Sequence, residues 1–566
     1  MKKSAVLIFT LCLCLLLISS SIAQTGDDYF NRAKAAYARG DWDSAIDEYT
    51  RFIQVRPNES SGYSNRGAAY AEKKDYQSSL RDTEKAVQLD SSNATAYLNR
   101  GRAHSGLGNE EMAFQDASRA VQLDPNLAVG YNNRGLSYYF YKKNIELAVA
   151  DFKRAIQLDP NLDVAHANLG RHFLDSGKNE EAVSSLTKAI NLGLKKAFPF
   201  GTRGLAYFRM GENEKALADF TAAIGFEPSE STYHYNRGLA NYELDKFDAS
   251  IIDFGKAIDL NPKSSFYFFA RGRANYTLSK YALAVADYSK ALELDPNTVD
   301  AHYNRGLAHY QNLNYEQALA DFTEAIEESP KDDLGFQYRG RVLSDMERYD
   351  EAIANFGKAL ELKPTSANAY YFRGKAYVES GQYEKGLADY DKTLELAPKF
   401  NAAYKDKAWA YLYWNKGELA HEMATAYLEL NGLKNSGGDD APYAIIVGYL
   451  GLRKANKAVG AKVFLETWMK QVKPEEWTVS VMKFLHGDTT AAQFLGQAAT
   501  DGERTEAHTY IGEMQLLAGQ RAPAIVHFKW SKEKGVKTYT EYTLALAELD
   551  RLATMPAPAA KRRVRK

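Results

Sequence analysis

The stretch Val299–Asp332, VDAHYNRGLAHYQNLNYEQALADFTEAIEESPKD, contains the pattern that most of the chain repeats. Gly306 is followed by Ala318, Phe322, Ala325 and Pro330, and the next copy starts 34 residues later, with Gly340. The glycine column contains Gly67, Gly101, Gly135, Gly170, Gly204, Gly238, Gly272, Gly306, Gly340 and Gly374. A fixed period in this range predicts a stack of similar structural units.

These marks resemble the tetratricopeptide repeat (TPR), in which each unit is a pair of antiparallel helices, here called A and B. In that alignment the glycine is position 8 of helix A, while Ala318 and Phe322 are positions 20 and 24 of helix B. Glycine inside a helix costs about 1 kcal/mol relative to alanine, so its repetition indicates close helix approach. The resemblance implies an all-α fold, a TPR α-solenoid whose helix pairs form a right-handed superhelix.

The repeat divides the chain into four parts. We predict a signal peptide over 1–23, twelve TPR units over 24–434, degenerate units with capping helices over 435–555, and a disordered basic tail over 556–566. The predicted unit starts are Gly26, Ser60, Ala94, Ala128, Asp163, Ala197, Ser231, Ser265, Val299, Asp333, Ala367 and Asn401. Weaker copies of the marks follow at Gly448, Gly460 and Phe464, and again at Gly512, Ala524 and Phe528.

The first residues have the features of an export signal. Lys2 and Lys3 precede an apolar run, and Ser21-Ile22-Ala23 is a small-residue cleavage motif, so we expect a mature start at Gln24. An uncleaved membrane anchor is the alternative. Both cysteines lie in this segment, and no later apolar run is long enough to span a bilayer. We therefore expect a mature chain without a transmembrane segment, located in the periplasm or secreted.

Composition and motifs argue against catalysis and against metal or cofactor binding. The formal net charge of −1 gives no support for a nucleic-acid partner. The chain has no HExxH, phosphate-loop or G-x-S-x-G motif. Among its ten histidines, His166, His234, His302 and His309 occupy helix-packing positions of the repeat. We predict no enzyme activity, no metal site and no cofactor.

In the TPR family, positions 2, 5, 9 and 12 of helix A line a concave groove, and here that stripe is rich in aromatic residues. The candidate partner-binding rings are Tyr139, Phe208, Tyr235, Tyr242, Phe266, Phe269, Tyr276, Tyr303, Tyr310 and Tyr371. Large rings with polar tips are typical of binding surfaces. The alternative is that many of them pack against adjacent helices.

Position 6 adds a column of asparagines. Its members are Asn31, Asn65, Asn99, Asn133, Asn168, Asn236 and Asn304. This column resembles the asparagine ladder in the TPR superhelix of O-linked N-acetylglucosamine transferases, which holds a peptide backbone. An amide both donates and accepts, so it can pair with any peptide bond. The alternative is that these amides bond their own scaffold.

Position 7 is usually arginine and position 23 usually acidic, which predicts an ion pair inside each hairpin. The predicted pairs are Arg32/Glu48, Arg66/Asp82, Arg100/Asp116, Arg134/Asp151, Arg203/Asp219, Arg237/Asp253, Arg271/Asp287, Arg305/Asp321 and Arg373/Asp389. Where Leu169 replaces the arginine, Ser185 replaces the acid. Antiparallel helices that turn near position 15 place 7 and 23 at the same level, so we expect partly buried, bidentate pairs.

The sequence is consistent with a non-catalytic periplasmic scaffold or adaptor. It would bind an extended polypeptide or protein segment in its concave groove, for envelope assembly or wall remodelling. The segment Glu506–Leu552 resembles the C-terminal end of periplasmic TPR adaptor lipoproteins. The alternative is a TPR component of exopolysaccharide handling or export, which binds carbohydrate or a synthase or porin partner. The partner's identity and the oligomeric state stay open.

Overall fold

The computed structural model describes residues 25–431, 440–472 and 477–555, and every regular element in these ranges is a helix. The predicted signal peptide, the start of the predicted C-terminal segment at 435–439 and the basic tail lie outside the described residues. The chain divides into two compact units after Leu278. Among the described residues, no helix combines the length and the hydrophobicity needed to cross a membrane.

Helices fill the described part of both compact units. The first contains α1 (Gly26–Ala38), α2 (Trp42–Val55), α3 (Ser60–Glu72), α4 (Tyr76–Leu89), α5 (Ala94–Gly106), α6 (Glu110–Leu123), α7 (Ala128–Phe140), α8 (Ile145–Leu158), α9 (Asp163–Asp175), α10 (Asn179–Asn191), α11 (Ala197–Arg209), α12 (Asn213–Phe226), α13 (Ser231–Glu243), α14 (Phe247–Leu260) and α15 (Ser265–Thr277). The second contains α16 (Tyr281–Leu294), α17 (Ala301–Gln311), α18 (Tyr315–Glu328), α19 (Asp333–Asp345), α20 (Tyr349–Leu362), α21 (Ala367–Glu379), α22 (Tyr383–Leu396), α23 (Asn401–Tyr413), α24 (Gly417–Asn431), α25 (Asp440–Lys454), α26 (Ala458–Met469), α27 (Trp477–His486), α28 (Ala491–Gln497), α29 (Asp501–Leu517), α30 (Arg521–Lys534) and α31 (Thr540–Thr554).

The predicted solenoid of helix pairs is confirmed, and the A helices begin at the predicted residues with one exception. In the ninth repeat, α17 begins at Ala301 instead of Val299. Asp300 has a left-handed backbone, with φ of 61°, and therefore cannot continue a right-handed helix.

A residue with left-handed backbone also stands in the turn between the two helices of each repeat. Gly40, Gly108 and Gly211 adopt φ of 77°, 80° and 75°, where glycine has no steric penalty. Lys74 and Glu347 adopt φ of 62° and 60° at the equivalent place. The turn that the sequence predicts near position 15 therefore forms whether or not its left-handed residue is glycine.

The core of each hairpin is the predicted contact of positions 8, 20 and 24. Ala216 and Phe220 of α12 are fully buried. A Cβ atom on Gly238 would lie 2.6 Å from a ring carbon of Phe254, which is closer than real contacts allow. Gly448 and Gly512 meet Phe464 and Phe528 in the same manner, so the weaker C-terminal copies of the pattern are also genuine helix pairs.

The last helices fold back onto the array. Leu552 and Ala545 of α31 pack on Phe528 of α30. Tyr413 at the end of α23 donates a hydrogen bond of 3.1 Å to the carbonyl of Thr540, 127 residues later. The C-terminal segment therefore closes on the twelfth repeat.

This closing segment buries several charged side chains. Lys454 lies 2.9 Å from Glu513 and 2.5 Å from Glu548, and all three are almost entirely buried. Glu506 is also buried, but its partners are uncharged: it accepts hydrogen bonds from Tyr443 Oη at 2.8 Å and from Trp477 Nε1 at 3.0 Å. Burial, followed by the nearby Glu541, raises the pKa of Glu506 to about 8.

Candidate functional site

Arginine–carboxylate pairs hold the two helices of most repeats in register. The shortest N–O distances are 3.0 Å for Arg32–Glu48, 2.7 Å for Arg66–Asp82, 2.6 Å for Arg100–Asp116, 2.7 Å for Arg134–Asp151, 2.7 Å for Arg203–Asp219, 2.6 Å for Arg237–Asp253, 2.6 Å for Arg305–Asp321 and 2.7 Å for Arg373–Asp389. In the aspartate pairs, Nε and Nη2 both donate to the carboxylate. The same-hairpin prediction is confirmed for these pairs.

Four of the position-7 arginines, Arg66, Arg203, Arg305 and Arg339, also connect their repeat to the preceding one. Arg66 Nη1 donates to Thr50 Oγ1 at 3.0 Å, and Arg203 Nη1 donates to Thr187 Oγ1 at 2.9 Å. The guanidinium of Arg66 lies 5.8 Å from the ring of Tyr63 on the same helix. Because the arginine has partners on three sides, it fixes the orientation of helix A and of the face that helix A exposes.

The tenth repeat lacks the carboxylate. Arg339 Nε donates to Asn355 Oδ1 at 2.8 Å, and burial lowers the pKa of Arg339. The hydrogen bonds that Arg66 donates to Asp82 raise the pKa of Arg66 instead. The twelfth repeat uses another arrangement, in which Lys407 pairs with Asp391 of the preceding repeat.

The candidate tyrosines at position 12 tie adjacent repeats together. Tyr139 Oη donates to Asp175 at 2.5 Å, and Tyr310 Oη donates to Asp345 at 2.6 Å. Tyr242 Oη likewise lies 3.0 Å from Thr277 Oγ1 of the following repeat. The position-5 residue Tyr371 similarly donates to Asp406 at 2.6 Å. These hydroxyl groups are engaged within the protein, while the ring edges remain partly accessible.

Other candidate rings pack between helices. The ring centroid of Tyr235 lies 4.9 Å from that of Tyr267 and 5.8 Å from that of Phe254. Tyr303 lies 6.0 Å from Phe322. Phe208, Phe269 and Tyr276 are half-buried. Phe266, at position 2, differs from all of these because 63% of its surface is exposed.

The asparagine column falls into two groups. Asn99 Nδ2 donates to Ser64 Oγ at 3.0 Å, and Asn168 Nδ2 donates to Asn132 Oδ1 at 2.8 Å, so both bind the preceding repeat. Asn304 Nδ2 donates to the carbonyl of Asp300. Asn133 accepts a bond of 3.3 Å from Asn132. Three members of this column, Asn31, Asn65 and Asn236, have no side-chain hydrogen bond within the described part of the protein.

The arginines at position 9 were not predicted from the sequence as a group. The guanidinium of Arg171 lies 5.3 Å from Phe140 and 5.7 Å from Phe198. Arg341 lies 5.4 Å from Tyr310 and 4.6 Å from Phe372. Stacked guanidinium groups keep their N–H edges available for hydrogen bonding. Comparison of the residues at position 9 in successive repeats would have revealed these arginines.

We call the surface formed by positions 2, 5, 6, 9 and 12 of the A helices the A-helix face. Within the first compact unit it presents unpaired amides, stacked arginines and ring edges, which can together contact a peptide backbone and apolar side chains. In the described part of the chain, no group of three or more His, Cys, Asp or Glu side chains is arranged to hold a metal ion.

Comparison with known protein families gives matches over much of the chain. Models described as tetratricopeptide repeat or TPR repeat match residues 30–94, 94–127, 128–162, 202–265, 272–312, 299–332, 340–381 and 367–400. No curated protein matches the chain.

Several solved structures are similar. A tetratricopeptide repeat protein from Parabacteroides merdae ATCC 43184 is 23% identical, with a TM-score of 0.34, over 42% of this chain and 93% of that one. A chain of the APC/C hetero-tetramer Cut9–Hcn1 is 16% identical, with a TM-score of 0.35, over 76% of this chain and 91% of that one. Yeast Tom70 is 17% identical, with a TM-score of 0.31, over 78% of this chain and 96% of the Tom70 chain. At these identities the likeness concerns the fold alone.

Proposed function

Because the chain belongs to the tetratricopeptide repeat family, we propose that it is a non-catalytic scaffold that binds an extended polypeptide along its A-helix face. The observation that carries the proposal is the set of asparagines without an intramolecular side-chain bond. Asn65 and Asn236 are half-buried, and in the described part of the chain neither amide has a protein partner. A half-buried amide without a partner is a favourable site for a peptide group, because the bond that it gains costs little further desolvation.

The rings and arginines on the same face support a polypeptide ligand. Phe266 offers an exposed ring for apolar side chains, and Arg273 in the same compact unit offers a guanidinium group held 5.0 Å from the ring of Tyr242. The proposal places the protein in the periplasm or outside the cell, in envelope assembly or wall remodelling. The signal-like segment over residues 1–23 and the resemblance of Glu506–Leu552 to envelope adaptors support that location.

Peptide binding tests this proposal directly. The mature chain would be screened against an array of immobilised 12-residue peptides, and bound peptides would be titrated in solution by fluorescence anisotropy. Asn65→Ala and Asn236→Ala together with Phe266→Ala should weaken binding by about tenfold or more, without changing the melting temperature. Asn126→Ala, in an exposed turn between repeats, is the matched control.

Two outcomes would contradict the proposal. One is a chain that binds no peptide on the array. The other is binding that the triple variant leaves unchanged, since the A-helix face would then not be the site. If the chain binds a wall polysaccharide or an exported polysaccharide but no peptide, the result favours the alternative function in carbohydrate handling.

A further inference from the structure

A cluster of exposed apolar side chains lies at the turn between the helices of the fourth repeat. We call it the edge patch, and its members are Met112, Phe140, Tyr141, Ile145 and Leu147, which are 42%, 48%, 39%, 40% and 44% exposed. They lie on α6, α7, α8 and the turn that joins the last two. Contiguous exposed apolar surface on a soluble domain is typical of a protein-interaction site.

The turn that carries the patch is one residue longer than the corresponding turns and is held in a fixed conformation. Tyr141 Oη donates to Glu111 at 2.9 Å, and Lys142 Nζ donates to the same carboxylate at 2.6 Å. These hydrogen bonds lower the pKa of Glu111 to about 2, so the carboxylate stays ionised. Lys143 takes the left-handed backbone, with φ of 54°. The longer turn is thus tied to helix α6 of the preceding repeat through Glu111.

A pocket of about 420 Å³ adjoins the patch between the fourth and fifth repeats. It is lined by Ile145, Glu146, Val149, Ala150, Lys153 and His172. Val149 and Ala150 form an apolar wall, while Ile145 is shared with the patch. The volume is sufficient for one large apolar side chain.

Three lysines lie near this pocket, together with the carboxylates of Glu146 and Asp175. Lys143, Lys153 and Lys178 are exposed, and none of the three has an ion pair within the described ranges. Burial lowers the pKa of His172, and the positive charges of Lys178 and Lys153 lower it further, while the carboxylate of Asp175 partly offsets the shift. Glu146 is the single carboxylate that lines the pocket. A partner with carboxylates beside its apolar side chains complements this pattern.

We propose that the edge patch and its pocket are a docking surface for a protein partner whose segment carries bulky apolar side chains flanked by carboxylates. One apolar side chain enters the pocket, the others cover Tyr141, Ile145 and Leu147, and the carboxylates face Lys143, Lys153 and Lys178. The proposal does not depend on ligand binding at the A-helix face.

Three synthetic fluorescein-labelled peptides test the proposal with the full mature chain. The first is a 12-residue peptide that alternates Asp or Glu with Leu or Phe. In the second, every acid is replaced by Lys, and in the third every Leu and Phe is replaced by Ser. Only the first should bind, and its affinity should fall as salt rises.

Variants locate the site. Ile145→Ser combined with Leu147→Ser, and separately Lys153→Glu combined with Lys178→Glu, should each weaken binding by about tenfold or more. Leu283→Ser is the matched control, because Leu283 is also the third residue of a B helix and is 56% exposed. Asn65→Ala with Asn236→Ala should leave this binding unchanged, which separates the patch from the A-helix face.

The proposal is overturned if the lysine-substituted peptide binds as well as the acidic one. It is also overturned if the patch variants bind normally, or if Leu283→Ser weakens binding as much as they do. Circular dichroism of each variant verifies that the helices are intact.

Discussion

Replacing Asp253 with alanine should destabilise the seventh repeat more than any exposed substitution on the same helix. The Asp253 side chain is 5% exposed and that of Arg237 is 25% exposed. The carboxylate accepts bonds from Arg237 Nε at 3.0 Å, Arg237 Nη2 at 2.6 Å and Asn241 Nδ2 at 3.0 Å. Alanine would leave both donor groups in a partly buried site without their acceptor.

The magnitude follows from that burial. Removal of one partner of a fully buried ion pair costs about 3–5 kcal/mol. Because a quarter of the Arg237 side chain still meets water, we expect the low end, about 3 kcal/mol. Asp253→Asn should cost about 1–2 kcal/mol, because one oxygen acceptor remains. The tenth repeat already contains that arrangement, in Arg339 and Asn355.

Hydrogen exchange measured by mass spectrometry is the appropriate assay, because a repeat array can open locally without global unfolding. A loss of about 3 kcal/mol corresponds to roughly 100-fold faster exchange in α13 and α14. Asp259→Ala, an exposed change on α14, is the control. If Asp253→Ala accelerates exchange no more than Asp259→Ala does, the ion pair does not hold the hairpin and our reasoning is wrong.

Three further predictions concern contacts between repeats, pH and export. Tyr310→Phe removes the 2.6 Å hydrogen bond to Asp345. Because the site is solvent-accessible, the loss of stability should be about 1 kcal/mol. Faster amide exchange in α17 and α19 would verify this, and unchanged exchange would contradict it. Burial raises the pKa of Glu506 from 4.5 to about 8, so the folded state binds this proton more tightly and the closing segment should lose stability as pH rises from about 4.5 to about 8. Glu506→Gln should flatten that dependence in urea titrations followed by tryptophan fluorescence, and an equal slope in both proteins would refute the assignment. N-terminal sequencing of protein from an exporting host should find Gln24 first, whereas recovery of the membrane-bound, uncleaved chain would exclude periplasmic release.

Several features of the candidate site could be predicted because they depend on intervals within one hairpin. Two helices joined by a turn at position 15 bring positions 7 and 23 to the same level, and the sequence therefore identifies pairs such as Arg66 and Asp82. The missing arginine at Leu169, together with the missing acid at Ser185, gave independent support. The Asn column was equally visible, but the difference between Asn99 and Asn65 was not. Asn99 finds Ser64 of the preceding repeat as a partner, which depends on how two repeats pack.

The sequence by itself determined the helix pairs, the first residue of all but one of the A helices, and the packing of positions 8, 20 and 24. These follow from the chemistry of one repeated unit, in which small residues permit close approach and Phe254 fills the space beside Gly238. Only the tertiary structure decided that the hydroxyl of Tyr310 reaches Asp345 and that Thr540 lies against Tyr413. Such contacts depend on the rotation between neighbouring repeats and on the path of the chain after the array, and a periodic pattern of side chains encodes neither.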